Sequence, residues 1–213
     1  MVTYLDRGHY YLNSKGIIIP SVSKLINFEL GNEYANVPPE VLQKAADYGT
    51  RIHKAIQDYE ELCVEDIPLG FLEDVTELRV LQMYIRLKKQ CGFVVNSMEQ
   101  IIDYQERYAG RYDMFCCDGC IYDIKTTSKV MMDHLEWQIG LYYLAMGLEK
   151  DIGYCIWLPK RDIPQLIEVE AKSNAECIDL LERYEKANAN TVRGFWKANG
   201  KAETKVQKSW KFR

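Results

Sequence analysis

The stretch A-G-R-Y-D-M-F-C-C-D-G-C-I-Y-D-I-K, residues 109–125, decides the fold. Its flanks, Arg111 to Cys116 and Cys120 to Lys125, read as strands, with the turn signal Asp118-Gly119 between them. Side chains alternate along a strand, so Asp123 and Lys125 share a face. Register decides whether Asp113 joins them, because a slip of one residue turns a strand's side chains over. A two-residue turn at Asp118-Gly119 pairs Cys117 with Cys120 and sets Asp113 opposite Ile124. A three-residue loop, Cys117-Asp118-Gly119, pairs Cys116 with Cys120 and Asp113 with Asp123. That loop ends on a left-handed residue, which Gly119 supplies, and this is the predicted register.

Working outward, Phe93 to Asn96 and Glu99 to Glu106 read as strands ahead of the hairpin. Asp133 to Leu148 reads as a helix with Asp133 as N-cap. Gly153 to Leu158 and Gln165 to Glu170 form a further strand pair, and Ser173 with Glu176 makes a capping box for the last helix. Upstream, Tyr4 to Asn13 and Ile17 to Ile19 suggest a hairpin-like opening, and Pro20-Ser21-Val22-Ser23 leads into a short helix capped by Ser21 or Ser23. Val37-Pro38-Pro39-Glu40 starts a helix running to about Glu61. Gly70 to Gln90 has helical periodicity, closed by Cys91-Gly92. This order predicts one α/β domain over residues 1–213, a mixed central β-sheet flanked by helices.

The 213 residues suit a single domain, and a composition 47% hydrophobic and 12% aromatic excludes general disorder. A core of this size needs no disulfide framework. No apolar run approaches the roughly 18–20 residues of a membrane span. The opening M-V-T-Y-L-D-R-G-H lacks the apolar core of a signal peptide, so the expected setting is cytoplasmic, without a membrane. Seven cysteines are then expected to be reduced, and the cluster at Cys116, Cys117 and Cys120 has no second Cys/His pair at zinc-ligand spacing. The net charge of −4 argues against a uniformly polyanion-coating surface, but it is unevenly spread. From Lys186 to Arg213 six Lys and two Arg meet one Glu, a net +7 that leaves −11 on the rest. A basic helix and tail over about 186–213 suits local contact with a polyanion or simple solvation, and the acidic body suits a hard metal.

Two carboxylates side by side repel unless a cation lies between them, and a hard divalent ion such as Mg²⁺ or Mn²⁺ takes such oxygens. Asp113 and Asp123 would then be ligands, with Lys125 placed to hold a water or neutralise charge on a phosphoryl group. The same residues also fit an ordinary cross-strand ion pair. Gly49 and His53 lie one helical turn apart, and a glycine inside a helix costs about 1 kcal/mol, which hints at close approach by another group. His53 is a candidate ligand or phosphate contact, or a packed core residue. Glu99 offers a third carboxylate or a solvated one, and Gln138 and Tyr142 share a face of the helix after the hairpin.

The ordered set G-T-R-I-H (49–53), Glu99, A-G-R-Y-D (109–113), Y-D-I-K-T-T (122–127) and W-Q-I-G-L-Y-Y (137–143) resembles the PD-(D/E)xK nuclease superfamily. The resemblance is strongest to its RecB-type and lambda-type phage exonuclease branch, and P-S-V-S at 20–23 is similar to a segment that opens many phage members. It implies the restriction-endonuclease-like core and Mg²⁺-dependent phosphodiester hydrolysis. It implies metal binding by Asp113, Asp123 and the Ile124 carbonyl, with His53 and Glu99 at or beside the metal and Lys125 as the catalytic lysine. Gln138, Tyr142 and Arg51 would hold DNA or the site, and Arg193 and Lys197 of the basic helix would guide a strand. The implied substrate is double-stranded DNA with a free end, in phage-type recombination or end processing. A homo-oligomer and a single-strand annealing protein are the corresponding partners. No cysteine trio follows the Gln138 helix, so no iron–sulfur cluster is expected, and no phosphate loop of a helicase motor is present. The alternatives are a structure-specific endonuclease and a catalytically silent nucleic-acid-binding module. The second is disfavoured because adjacent carboxylates repel phosphate.

Overall fold

A computed structural model describes residues 2–5, 10–62 and 75–199, the side chains of 190–199 excepted. The chain divides into two units, residues 1–177 and 178–213. In the first, β1 (Thr3–Leu5), β2 (Tyr10–Leu12) and β3 (Ile18–Ile19) form a small antiparallel sheet. The helix α1 (Val22–Leu30) follows, where the Ser21 hydroxyl accepts the Lys24 N–H and Gly31, at φ +83°, ends the helix. Ala109 donates its N–H to the Pro20 carbonyl, tying this entry segment to the strand that contains Gly110.

The next two helices are α2 (Pro39–Leu62) and α3 (Val75–Cys91). Tyr48, Ile52 and Ile56 recur every four residues along α2 and form its buried stripe. They meet Val80, Tyr84 and Leu87 of α3 in one apolar cluster. The Tyr84 hydroxyl and the Lys88 ammonium both donate to Glu60, which gives this helix pair a half-buried polar clasp. Gly92, at φ +74°, closes α3 by donating to the Lys88 carbonyl. Phe71 and its neighbours in the expected helix, and Cys63, lie outside the described residues.

The strands β4 (Val95–Met98), β5 (Ile101–Tyr104), β6 (Tyr108–Arg111), β7 (Met114–Cys116) and β8 (Ile121–Lys125) form a long bent ribbon. One expected strand, Arg111 to Cys116, is broken here, and the one before it, Glu99 to Glu106, is shortened at both ends. Glu99, expected to open a strand, sits at φ +52° between β4 and β5, and Asp113 lies at the matching break between β6 and β7. The second expected strand also ends at Tyr104, since Gln105 and Glu106 adopt positive φ in a turn. Sequence alternation continues through the break at Asp113 and so does not reveal it.

After β8 come α4 (Met132–Met146), β9 (Ile152–Trp157), β10 (Gln165–Glu170) and α5 (Asn174–Asn199). The main sheet has the order β10-β9-β8-β7-β4, with β8 and β9 parallel and the other pairs antiparallel. The parallel pair requires a crossover, and α4 provides it. Asp133 is not the N-cap of α4. Met131 holds that position without a side-chain bond, and Asp133 falls in the first turn. The Ser173 and Glu176 capping box at α5 is present with both reciprocal bonds. Tyr122 and Ile124 pack into the α2–α3 cluster, so the alternate residues Asp123 and Lys125 face the side where α4 lies. Gly140 lets α4 approach the chain at Lys172, where an added Cβ would lie within 3.0 Å of two backbone atoms. Among the described residues, no helix is long and apolar enough to cross a membrane.

Candidate active site

The hairpin adopts the three-residue-loop register. Met114 pairs with Tyr122 and Phe115 with Ile121, and Cys116 N–H donates to Cys120 O at the loop, whose Gly119 has φ +75°. Extended by one residue, this register sets Asp113 across from Asp123. The Asp113 carboxylate accepts the Ile124 N–H at 2.7 Å through Oδ2, leaving Oδ1 turned toward His53 Nδ1 at 3.4 Å. The break at residue 99 brings a third acid into place. Glu99 N–H donates to the Asp113 carbonyl at 3.0 Å, and Glu99 Oε1 lies 3.6 Å from His53 Nδ1. Its other oxygen pairs with Arg111 Nε at 2.9 Å.

His53 arrives from α2, where it shares a face with Gly49. The expectation of close protein approach at Gly49 takes a milder form: a Cβ there would sit at ordinary contact distance, 3.6 Å, from Thr126 Oγ1. Gly49 instead lines, with His53, Glu99, Asp113 and Arg111, a cleft of about 670 Å³. The second nitrogen of His53, Nε2, lies 3.2 Å from the Ile124 carbonyl oxygen, so it carries the proton and donates. Burial alone would lower the imidazole pKa, but the Asp113 and Glu99 carboxylates outweigh it and push the value up to about 10. His53 is therefore an imidazolium, a cation held between two carboxylates and a carbonyl. The Asp113 carboxyl is held below its ordinary range, the His53 charge prevailing over burial.

Asp123 is buried, at 1% exposure. Its Oδ1 accepts from Gln138 Nε2 at 2.8 Å. Its Oδ2 lies 2.7 Å from Lys125 Nζ, an ion-pair contact without the alignment of a hydrogen bond. Burial, with the Asp113 charge, raises the Asp123 pKa to about 6 against the pull of Lys125. Lys125 is drawn the other way: burial would lower its pKa, and the Asp123 and Asp113 charges raise it above the ordinary lysine value. It also donates to Gln138 Oε1 at 3.2 Å. Gln138 passes a bond to Tyr142, whose hydroxyl donates to the Arg111 carbonyl at 2.9 Å. Gly110 makes room for that ring, since a Cβ there would lie 2.8 Å from Tyr142 Cε1 and 2.7 Å from Val22 Cγ2.

The residues present fit a hard divalent cation. His53, Glu99 and Asp113 each offer a ligand atom, and these atoms lie within 4.8 Å of one another. Asp123 Oδ2 is a buried carboxylate oxygen with room in its bonding for a further cation. Asp123 and the Ile124 carbonyl stand beside the three-residue group but are engaged by Lys125, Gln138 and His53.

Arg51 lies apart from this group. Two residues from His53 is more than half a turn of helix, and its guanidinium reaches Glu77 of α3. The side chains of Arg193 and Lys197, and Lys201, Lys205, Lys208 and Lys211, lie outside the described residues. Of the six free cysteines described, Cys116, Cys155 and Cys177 are buried, and no cysteine belongs to a metal-competent group among the described residues. Arg111 stands inside the motif A-G-R-Y-D, yet sequence reasoning gives it no role of its own. Its spacing of two from Asp113 is the one signal that points to it.

No protein-family model matches the chain, and no curated protein matches its sequence. Solved structures do. A protein from Eubacterium rectale, named for an inferred exonuclease activity, aligns with a TM-score of 0.52 at 13% identity, covering 83% of this chain and 82% of that one. An alkaline exonuclease from Laribacter hongkongensis aligns at TM-score 0.46 and 12% identity, over 75% of this chain and 97% of that one. A phage-related exonuclease from Haemophilus somnus 129PT aligns at 0.43 and 10%, over 84% and 96%. The first of these carries the fold comparison. The chain shares that protein's fold, a mixed central sheet flanked by helices, which is the α/β architecture expected from the sequence.

Proposed function

We propose that this chain is a metal-dependent deoxyribonuclease that hydrolyses phosphodiester bonds of linear DNA as an exonuclease. One observation carries the reading: Asp113, Glu99 and His53 converge on one point of a cleft, with Asp123 and Lys125 paired immediately behind them. A binding module gains nothing from three carboxylates that repel phosphate, whereas a hydrolase uses them to hold a cation. Asp113, Glu99 and His53 would hold Mg²⁺ or Mn²⁺, with Asp123 and the Ile124 carbonyl adjacent. When bound, the ion polarises a phosphoryl oxygen and makes a coordinated water more acidic.

The chain's own groups do the rest. Lys125 is held as an ammonium by Asp123 and Asp113, so its role is to stabilise negative charge on the reacting phosphate rather than to act as a base. Gln138 fixes both Asp123 and Lys125, and Tyr142 anchors Gln138 to the strand that carries Arg111. Arg111, paired with Glu99 at the cleft, offers the phosphate a second cation. The reading extends to a one-domain enzyme with a basic appendage over 186–213, in phage-type recombination or end processing, acting in the cytoplasm. A homo-oligomer and an annealing protein are its proposed partners.

The test is incubation with end-labelled linear DNA and closed circular DNA, with Mg²⁺ and with chelator. Mg²⁺-dependent loss of the linear substrate alone is the expected result. Cutting of the circle would make the enzyme an endonuclease, and no cleavage of either would reject the reading.

A further inference from the structure

Among the described residues, a second groove of about 670 Å³ adjoins the catalytic cleft. Its floor is the segment that continues directly from Lys125, Thr126 to Met131, and its wall is Pro159 to Asp162, the turn after β9. The helix α2 serves both spaces, turning Ala46, Gly49 and His53 to the cleft and Ala45 and Tyr48 to the groove. The two meet where Gly49 faces Thr126.

The groove's chemistry is not that of the cleft. Lys129, Lys160 and Arg161 are exposed cations at its rim, with Asp162 the acid among its lining residues. Lys160 Nζ stands 3.6 Å from the Tyr48 ring centroid, a cation held by an aromatic face. The ring of Tyr34 is 43% exposed, its hydroxyl fixed on Met131 Sδ, and Pro159 faces the same space. Exposed cations beside the one exposed aromatic ring of the groove, Tyr34, suit a strand whose bases are unpaired, because a duplex hides its base faces.

We propose that this groove binds a single-stranded stretch of the nucleic acid whose phosphate is cut in the adjoining cleft. Lys129, Lys160 and Arg161 take the backbone and Tyr34 stacks a base. This rests on the nuclease reading for the identity of the polymer.

The test measures binding apart from cleavage. Fluorescence anisotropy of a labelled 12-nucleotide single strand and of a 12-base-pair duplex is recorded in chelator across a salt series. The Lys129→Ala/Lys160→Ala/Arg161→Ala variant should bind the single strand about tenfold or more weakly, and its log–log salt slope should be shallower by about 2. Tyr34→Ala should weaken single-strand binding about fivefold or more with the slope unchanged. Duplex binding should change less than about twofold in either. Unchanged single-strand affinity, or equal losses on both nucleic acids, would overturn the proposal. Mg²⁺-dependent hydrolysis of bis(4-nitrophenyl) phosphate, too small to span both spaces, should proceed at the wild-type rate in the variants. Its loss there would count against a separate subsite. If the wild type hydrolyses neither this ester nor DNA, the nuclease reading falls, while the anisotropy result still decides the groove.

Discussion

The β7–β8 ribbon has two ends that solve opposite problems. At its turn, Asp118 is satisfied close at hand: it accepts from Cys120 N–H at 2.9 Å and Tyr122 hydroxyl at 2.8 Å, and Gly119 N–H closes the loop on Cys116. At its open end, Asp113 and Asp123 are satisfied from far along the chain, by His53 of α2 and by Gln138 of α4, with Lys125 alongside. Most bonds of the turn come from its own residues, with Lys150 added at the Asp118 carbonyl. Long-range charge pairs make a site that exists only when the helices are in place, its carboxylates balanced by the His53 proton, the Lys125 ammonium and Arg111. In the proposed reading, a metal ion would take the place of the His53 proton among these carboxylates.

The sharpest way to break this contrast is at the open end. Lys125→Ala should lower Mg²⁺-dependent cleavage by about 100-fold or more, read as nucleotide release from linear DNA. Activity equal to wild type would remove Lys125 from the site. Gln138→Ala leaves the charges but frees Asp123 and Lys125 from their shared bond, and a loss of about tenfold or more is expected in the same assay.

A proton experiment sharpens the comparison. His53 holds its proton more tightly in the folded chain, with a pKa pushed from 6.5 to about 10. Its stabilising contribution is therefore complete below about pH 6.5 and is lost as the pH rises through 10. In chelator, the melting temperature should fall across this window more steeply in wild type than in His53→Gln. Parallel curves would mean that His53 is not the balancing cation. The smallest effect belongs to the turn. Cys117 is exposed, and Cys117→Ser should shift denaturant stability by less than about 0.5 kcal/mol and leave cleavage unchanged.

Parts of this contrast are legible in the residues alone. Gly119 after Cys117-Asp118 sets the loop, the loop sets the register, and the register places Asp113 across from Asp123. The polar pair Gln138 and Tyr142, one turn apart, likewise stands on one face of α4, where Gln138 meets Asp123 and Tyr142 supports Gln138. The break at Asp113 leaves no comparable trace, since it is a bend in a stretch whose alternation reads as continuous strand, and the gap read before Glu99 does not reveal that Glu99 itself takes a positive φ. The misplaced cap at Asp133 has a similar origin: an acid near a helix start serves the first turn as well as the N-cap, and propensity does not separate the two positions.

The sequence by itself determined the mixed α/β order, the hairpin register and the shared face of Asp123 and Lys125, because strand alternation and turn chemistry are local. Only the tertiary structure decided that His53 stands between Glu99 and Asp113, that Asp123 is held back by Lys125 and Gln138, and that Arg51 turns away to Glu77. Those outcomes depend on where α2 and α4 cross the ribbon. Packing of whole apolar faces sets that crossing, and no short run of residues encodes it.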